Sequence, residues 1–305
     1  MKRLIALILL CLFSCAASAE GYQLLEYEGV SYEYNPQITT ILYAGVDSEG
    51  PITTTDRYSI APRADTIDLI ILDGYHKTMR ILAISRDTMT TIDRYTMDGT
   101  WRDQYVSHLG YAYTYGDGGQ VSCENLVNAV SRLLGGVPIH DYVVTNKSGI
   151  VAGNALVGCV EVTVPNDDVA HLHPELTAGA VVTLTDENVA DYTLYRDINI
   201  PFTNNGRLER QETFIKGFVA RVKSMVESDP EAFWRSVESN ASSMQTSITR
   251  SQYLSLAQKL CDVSFEDQQF DYLSGFDVDG LEHDEVYLDE AEIMPLILEL
   301  FYLER

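Results

Sequence analysis

The sequence predicts an α/β domain: a central mixed sheet with helices on both faces. Three observations predict it. Apolar, β-branched runs of strand length stand at Ile38–Val46, Thr66–Asp73 and Met79–Ser85. Segments with helical spacing alternate with further short apolar runs through the rest of the chain. No repeat, low-complexity linker or composition break divides residues 38–303, so they read as one domain after a segment 1–19 and a lead-in 20–37.

The elements follow in order. Glu20–Gln37 is rich in Tyr and Glu and specifies no element. Ile38–Val46 is a buried strand that ends at Asp47. Ser48–Pro62, with two prolines and three consecutive threonines, is a loop. Thr66–Asp73 and Met79–Ser85 are strands joined by a hairpin-like turn at Gly74-Tyr75-His76-Lys77. Val121–Leu134 is a helix stopped by Gly135-Gly136. Tyr142–Asn146 is a strand, Ser148–Val157 a short helix, Cys159–Val164 a strand ended by Pro165, and Asp186–Leu194 a helix. Asn204-Asn205-Gly206 opens a long helix from about Arg207 to Val226. Asp229-Pro230 supplies a cap and first position for Glu231–Ser239, and Thr249 caps a helix reaching Asp262. Phe265–Leu273 is an edge strand and Leu288–Leu303 a final amphipathic helix.

The chain has 305 residues, 45 acidic against 21 basic, for a formal net charge of -24. Such a field repels phosphate backbones and excludes a general nucleic-acid binder. Residues 226–305 hold 18 acids and 4 bases, so the acidity concentrates at the C-terminal end. Of the bases 15 are Arg and 6 Lys, and Arg is the side chain suited to fixed, bidentate anion recognition.

Met1–Ala19 reads as an export segment: Lys2 and Arg3, an apolar run, then Ala17-Ser18-Ala19 as a cleavage site. Leu12-Phe13-Ser14-Cys15 also resembles a lipobox, in which Cys15 would be acylated, and an uncleaved anchor is the third reading. All three place the protein outside the cytoplasm. Cys123, Cys159 and Cys261 are odd in number and widely spaced, so they read as inert thiols, not a disulfide framework or zinc site. His171-Leu172-His173 reads as a solvated loop, and Asp277-Val278-Asp279-Gly280 fails the spacing of a calcium loop. Gly116-Asp117-Gly118-Gly119 reads as a turn.

What remains is a set of charged residues at element ends. Asp47 follows the first strand. Arg63 and Asp65, two apart in extended chain, share a face ahead of the second. Arg86-Asp87 closes the third. Arg207, Arg210 and Gln211 fall at i, i+3 and i+4 on one helical face, with Arg196 shortly before. Arginines beside two carboxylates form a pocket that could neutralise a pyrophosphate with a carboxylate-held Mg²⁺.

These stretches resemble the LytR–CpsA–Psr family of bacterial cell-envelope phosphotransferases. The resemblance lies in ILYAGVD (41–47), RADT (63–66), RILAISRDT (80–88), YAYTYG (111–116), the Cys123–Leu134 segment followed by GGVPI and DYVV, and NGRLERQETF (205–214). It implies an α-β-α sandwich with a long apolar pocket for a polyprenyl chain. It further implies transfer of a glycopolymer from a polyprenyl-pyrophosphate carrier to peptidoglycan, at the outer face of the cytoplasmic membrane. Carried over, Asp47 and Asp65 would hold Mg²⁺. Arg63, Arg86, Arg196, Arg207 and Arg210 would grip the pyrophosphate beside Gln211, and the catalytic part would fall to Arg63, Asp65, Arg86 and Arg207. Four positions depart from the pattern: Leu194 and Asn204 stand where an arginine and an aspartate are usual, and Gln104 and His108 where a lysine and an asparagine are. They leave two alternatives open, a member that binds the polyprenyl (pyro)phosphate without efficient transfer and a lipid-pyrophosphate hydrolase.

Overall fold

The computed structural model describes residues 24–58, 61–197, 204–273, 275–278, 280 and 284–305. The export segment, Cys15, Ile198–Thr203 and Asp279 lie outside the described residues.

The strands are β1 (Leu24–Tyr27), β2 (Val30–Tyr34), β3 (Ile38–Val46), β4 (Ala64–Asp73), β5 (Thr78–Ala83), β6 (Met89–Tyr95), β7 (Trp101–His108), β8 (Asp141–Asn146), β9 (Glu161–Thr163), β10 (Val181–Thr183), β11 (Met244–Thr246), β12 (Ser264–Tyr272), β13 (Gly275–Val278), β14 (Glu285–Leu288) and β15 (Tyr302–Glu304). The helices are α1 (Tyr111–Thr114), α2 (Gln120–Leu133), α3 (Lys147–Leu156), α4 (Val189–Leu194), α5 (Asn204–Ser228), α6 (Pro230–Ser239), α7 (Arg250–Asp262) and α8 (Glu290–Phe301).

A six-stranded mixed sheet, ordered β11-β8-β3-β4-β5-β12, forms the centre. β3 runs antiparallel to β4 and parallel to β8, while β12 is the parallel edge strand beside β5. Alternation along β4 assigns its two faces. Ile67, Leu69 and Ile71 join a dry core with Leu126, Ala129 and Val130 of α2 and Leu300 and Phe301 of α8. Thr66, Asp68, Ile70 and Leu72 face the other way, beneath α3, α5, α6 and α7. Helices therefore cover both faces, the α-β-α sandwich that the sequence predicts.

Local chemistry sets the element ends where it was expected to. The Asp229 side chain accepts from Ala232 N at 2.9 Å with Pro230 in the first turn of α6. Thr249 and Gln252 form a reciprocal capping box on α7. Several boundaries differ, these three among them. Asn204–Gly206 lie inside α5, not before it. The strand expected from Cys159 begins at Glu161, because Gly158 and Cys159 both take positive φ (76° and 65°) and complete a turn. The expected helix Leu288–Leu303 is shorter: Leu288 ends β14, the Asp289 side chain caps α8 through Ala291 N, and Tyr302 starts β15.

Among the elements not anticipated are two hairpins. The lead-in forms β1 and β2, and β15 pairs with β2, so the C-terminal strand is tied to the first described residues. β6 and β7 form the other, where Arg94 binds Asp103 through Nε and Nη2 at 2.7 Å each and lies 4.1 Å from the Tyr105 ring centroid. Among the described residues, no helix is long and apolar enough to cross a membrane. Cys123, Cys159 and Cys261 are free, and burial pushes the Cys123 thiol up, away from reactivity.

Candidate active site

The candidate site is assembled at the end of the sheet where β3 stops and β4 starts. The Asp47 amide donates to the Arg63 carbonyl at 3.0 Å, and the Arg63 amide donates to Asp47 Oδ1 at 2.7 Å. This reciprocal pair pins both ends of the intervening loop and holds the Arg63 guanidinium, with Nε 3.8 Å from Asp47 Oδ2. Arg63 also lies over the Tyr111 ring, 5.7 Å from its centroid.

Asp65 owes its direction to a bulge. Val46 pairs with Ala64 and Gly45 with Thr66, so Asp65 is the extra residue on β4. A bulge re-aims one side chain without ending the strand. It turns Asp65 onto Arg86 Nη1. Arg86 Nε is 3.6 Å from Asp87 Oδ1, and this buried donor has no hydrogen-bond partner. Gly110 braces the corner: its amide donates to the Arg86 carbonyl at 2.9 Å and its carbonyl accepts from Ala64 N at 3.2 Å. A Cβ at Gly110 would stand 2.6 Å from the Ala64 carbonyl oxygen, so only glycine permits this approach.

Arg207 reaches the same place from α5 and is 6% exposed. Burial, then the like charge of Arg86 and further that of Arg196, pulls its guanidinium down to about 10, with Asp65 and Asp87 opposing. It remains charged at neutral pH, and Arg86 and Arg196 both lie near enough for their charge to act on it. Arg63 feels Asp65 as well as Asp47. Asp47, Asp65 and Asp87 thus stand among these arginines, with Asp47 beside Arg63 and Asp65 and Asp87 beside Arg86. Asp47 and Asp65 flank Arg63 as hard oxygen donors, and two carboxylates plus phosphate oxygens and water are what Mg²⁺ takes from such sites. The donor set fits Mg²⁺, although no group of three or more acidic, His or Cys ligands occurs among the described residues.

Arg210 and Gln211 separate from this cluster. Arg210 is fully buried, and four of its N–H groups are committed: Nε to the Tyr192 carbonyl (2.8 Å), Nη2 to the Tyr195 carbonyl (2.6 Å), and Nη1 to Asn166 Oδ1 (2.9 Å) and Asp168 Oδ2 (2.7 Å). The i, i+3 spacing put its Cα beside Arg207, but its long side chain runs to the end of α4. It holds the backbone that leads into Arg196, and the structure does not bring it to the arginine cluster. Gln211 Nε2 donates to Thr66 Oγ1 (3.2 Å) and the Thr193 carbonyl (3.1 Å), bridging α5 to β4.

Thr66 and Gln211 also line a cavity of about 360 Å³. Its floor is the open face of the sheet and its roof includes Phe214, Phe218 and Val222 of α5, Trp234 of α6 and Leu256 of α7. From Thr66 to Leu72 the floor extends roughly 20 Å along β4. Leu194 is part of the lining. So is Asp68, a buried carboxyl that the sequence reading passed over. Its signal is an acid set between Ile67 and Leu69 in an otherwise apolar run. Of the pair His171 and His173, His173 Nε2 contacts Asp191 Oδ2 at 2.8 Å, and the His171 ring lies 5.1 Å from that of Tyr195.

Residues 16–286 match the LytR_cpsA_psr family. Among solved structures, B. subtilis TagV superposes with a TM-score of 0.66 at 20% identity, covering 87% of this chain and 96% of that one. A Streptococcus agalactiae protein gives 0.67 at 18%, covering 87% and 86%. TagT bound to LI-WTA gives 0.65 at 17%, covering 94% and 98%. At these identities the structures speak to the fold. A search of curated protein sequences found no match.

Proposed function

The chain belongs to the LytR–CpsA–Psr family, and on that premise we propose that it is a cell-wall glycopolymer transferase working outside the cytoplasm. Its donor is a glycopolymer on a polyprenyl-pyrophosphate carrier and its acceptor a peptidoglycan hydroxyl. One observation carries this reading: the apolar cavity reaches Thr66 and Gln211, the residue after Asp65 and the residue one helical turn after Arg207, so it ends beside the arginines. That is the shape of a site for an amphiphile with an anionic head and a hydrocarbon tail. TagT, a relative in fold, is described bound to LI-WTA, and the family supports the general transferase role.

Arg63, Arg86, Arg196 and Arg207 would hold the two phosphates and stabilise charge as it moves to the bridging oxygen. The acceptor oxygen forms a bond to the phosphorus that carries the glycan. The bond from that phosphorus to the bridging oxygen breaks, polyprenyl monophosphate leaves, and the hydroxyl proton passes to solvent. Mg²⁺, held by Asp47 and Asp65, would supply further positive charge against a pyrophosphate.

The test is transfer by the protein from a lipid-pyrophosphate-linked glycan to peptidoglycan with Mg²⁺. The expected outcome is a phosphodiester-linked product that Asp65→Ala reduces at least tenfold. Absence of transfer with every donor tried would remove the reading. A second reading, binding without efficient transfer, is favoured by Leu194, which puts hydrocarbon where the family pattern carries an arginine. Tight binding of polyprenyl phosphate without turnover would select it.

A further inference from the structure

Asp68 is the one acidic residue among the described residues that line the cavity. It is 5% exposed, and its Oδ2 is buried with no hydrogen-bond partner. Its described neighbours on that face offer no counter-charge. Register places it opposite Tyr43 on β3 and Ala83 on β5, and Ala83 opposite Tyr272 on β12. The Tyr43 hydroxyl is engaged with Thr145 Oγ1 of β8 at 3.0 Å, and burial pushes its ionisation up. The Tyr272 hydroxyl donates to Glu212 Oε2 of α5 at 2.8 Å, and Lys216 Nζ holds the other oxygen of Glu212. Gln211 of α5 serves Thr66 and the Thr193 carbonyl. Among the described residues that line this cavity there is no arginine, lysine or histidine.

While the cavity is empty, water within it can offset part of the cost of an ionised Asp68. An apolar chain that fills it removes that water and supplies no donor. An unpaired carboxylate cannot stay charged in such surroundings without a large penalty, so it takes up a proton instead. We propose that the cavity is proton-gated: an isoprenoid chain occupies it together with a proton on Asp68, and ionisation of Asp68 expels the chain. The proposal rests on the reading of the cavity as the hydrocarbon half of the site. The step is balanced as one carboxylate, one proton and one chain giving a neutral acid with the chain bound.

Burial alone already pushes the empty-site carboxyl up to about 7. The gate therefore works across neutral pH, and above that value each pH unit leaves about tenfold less protein competent to bind.

Farnesol, a neutral isoprenoid alcohol with no phosphate of its own to titrate, is the probe. Its affinity for the protein is measured between pH 6 and pH 9 by intrinsic fluorescence. The expected result is a loss of affinity of up to about a hundredfold across that range. Asp68→Asn keeps the shape of the side chain without the charge, and should bind farnesol with the same affinity at every pH. A second measurement needs no variant: titration calorimetry of the wild type at pH 8, in two buffers of different ionisation enthalpy, should report close to one proton taken up per farnesol bound. A pH-independent wild type, an Asn variant with the wild-type slope, no proton uptake, or no farnesol binding at any pH would each overturn the proposal. Transfer assayed with the intact lipid donor is judged separately. Active transfer with no pH response to farnesol sinks the gate and leaves the transferase reading standing.

Discussion

The two faces of the central sheet are built from the same strands and end in opposite states. On one face Ile67, Leu69 and Ile71 of β4 are almost completely buried against α2 and α8. On the other, Thr66, Asp68, Ile70 and Leu72, each one residue along, front a cavity. The difference lies in what covers them. α2 brings Cys123, Leu126, Ala129 and Val130 close to the sheet, and small and branched side chains interdigitate there. α5 brings Phe214 and Phe218, whose rings are tilted by 34° with centroids 5.8 Å apart and roof the space without filling it. One face thus supplies stability, and the other gives up packing energy to keep room for a ligand.

The largest expected effect tests the closed face. Leu69→Ala removes a fully buried side chain from a dry core and leaves a hole that its neighbours cannot fill. Urea denaturation should show a loss of about 2–5 kcal/mol. A loss under about 1 kcal/mol would mean that this face is not close-packed, and the contrast between the faces would disappear.

The next effect concerns the polar residue of the open face. The Asp68 carboxyl is raised from 3.8 to about 7 by burial. The folded protein therefore keeps a proton that the unfolded chain releases near pH 4, and stability falls as pH rises from about 4 to about 7. Above that window the whole cost of the buried charge persists. Asp68→Asn should be more stable than wild type at pH 8 by at least ~1.4 kcal/mol, the free energy of a tenfold difference in proton affinity between the folded and unfolded chain. The gap should close below pH 4. Equal stability at pH 8 would show that Asp68 is solvated in the folded state.

The same contrast explains which parts the sequence reveals. β3, β4, β5 and α2 are legible because each is a local pattern with local punctuation: an apolar run stopped by Asp47, by a four-residue turn or by Gly135-Gly136. β1 and β2 are not, because their half-exposed Tyr and Glu residues gain order only from β15, at the other end of the chain. β6 and β7 hide for a similar reason, since their Thr, Asp and Arg residues pair across strands. Within the site, Arg63, Asp65, Arg86, Arg196 and Arg207 stand in short motifs at element ends, and the structure gathers them. The bulge that aims Asp65 leaves no mark in composition. Arg210 misleads because helical spacing fixes where a Cα lies and not where a long side chain goes. Asp68 escapes notice because an acid within an alternating strand reads as a solvent-facing residue, and here the face it belongs to borders a cavity.

The smallest effect is the most direct comparison, because Ile70 is the residue after Leu69 and has the same number of side-chain carbons. Ile70→Ala enlarges a space that already exists, so the cost of creating a new cavity is largely absent. Ile70 is also only partly buried, so less of its surface returns to water on unfolding. Urea denaturation should show a loss of about 1 kcal/mol, well below that of Leu69→Ala. The wider floor should change which chains fit: the variant is expected to bind farnesol less tightly, through lost contact, and a bulkier or branched chain comparatively better. If Ile70→Ala costs as much as Leu69→Ala, the cavity walls are part of the packed core. The open face would then be a product of imperfect packing instead of a site kept open for a lipid.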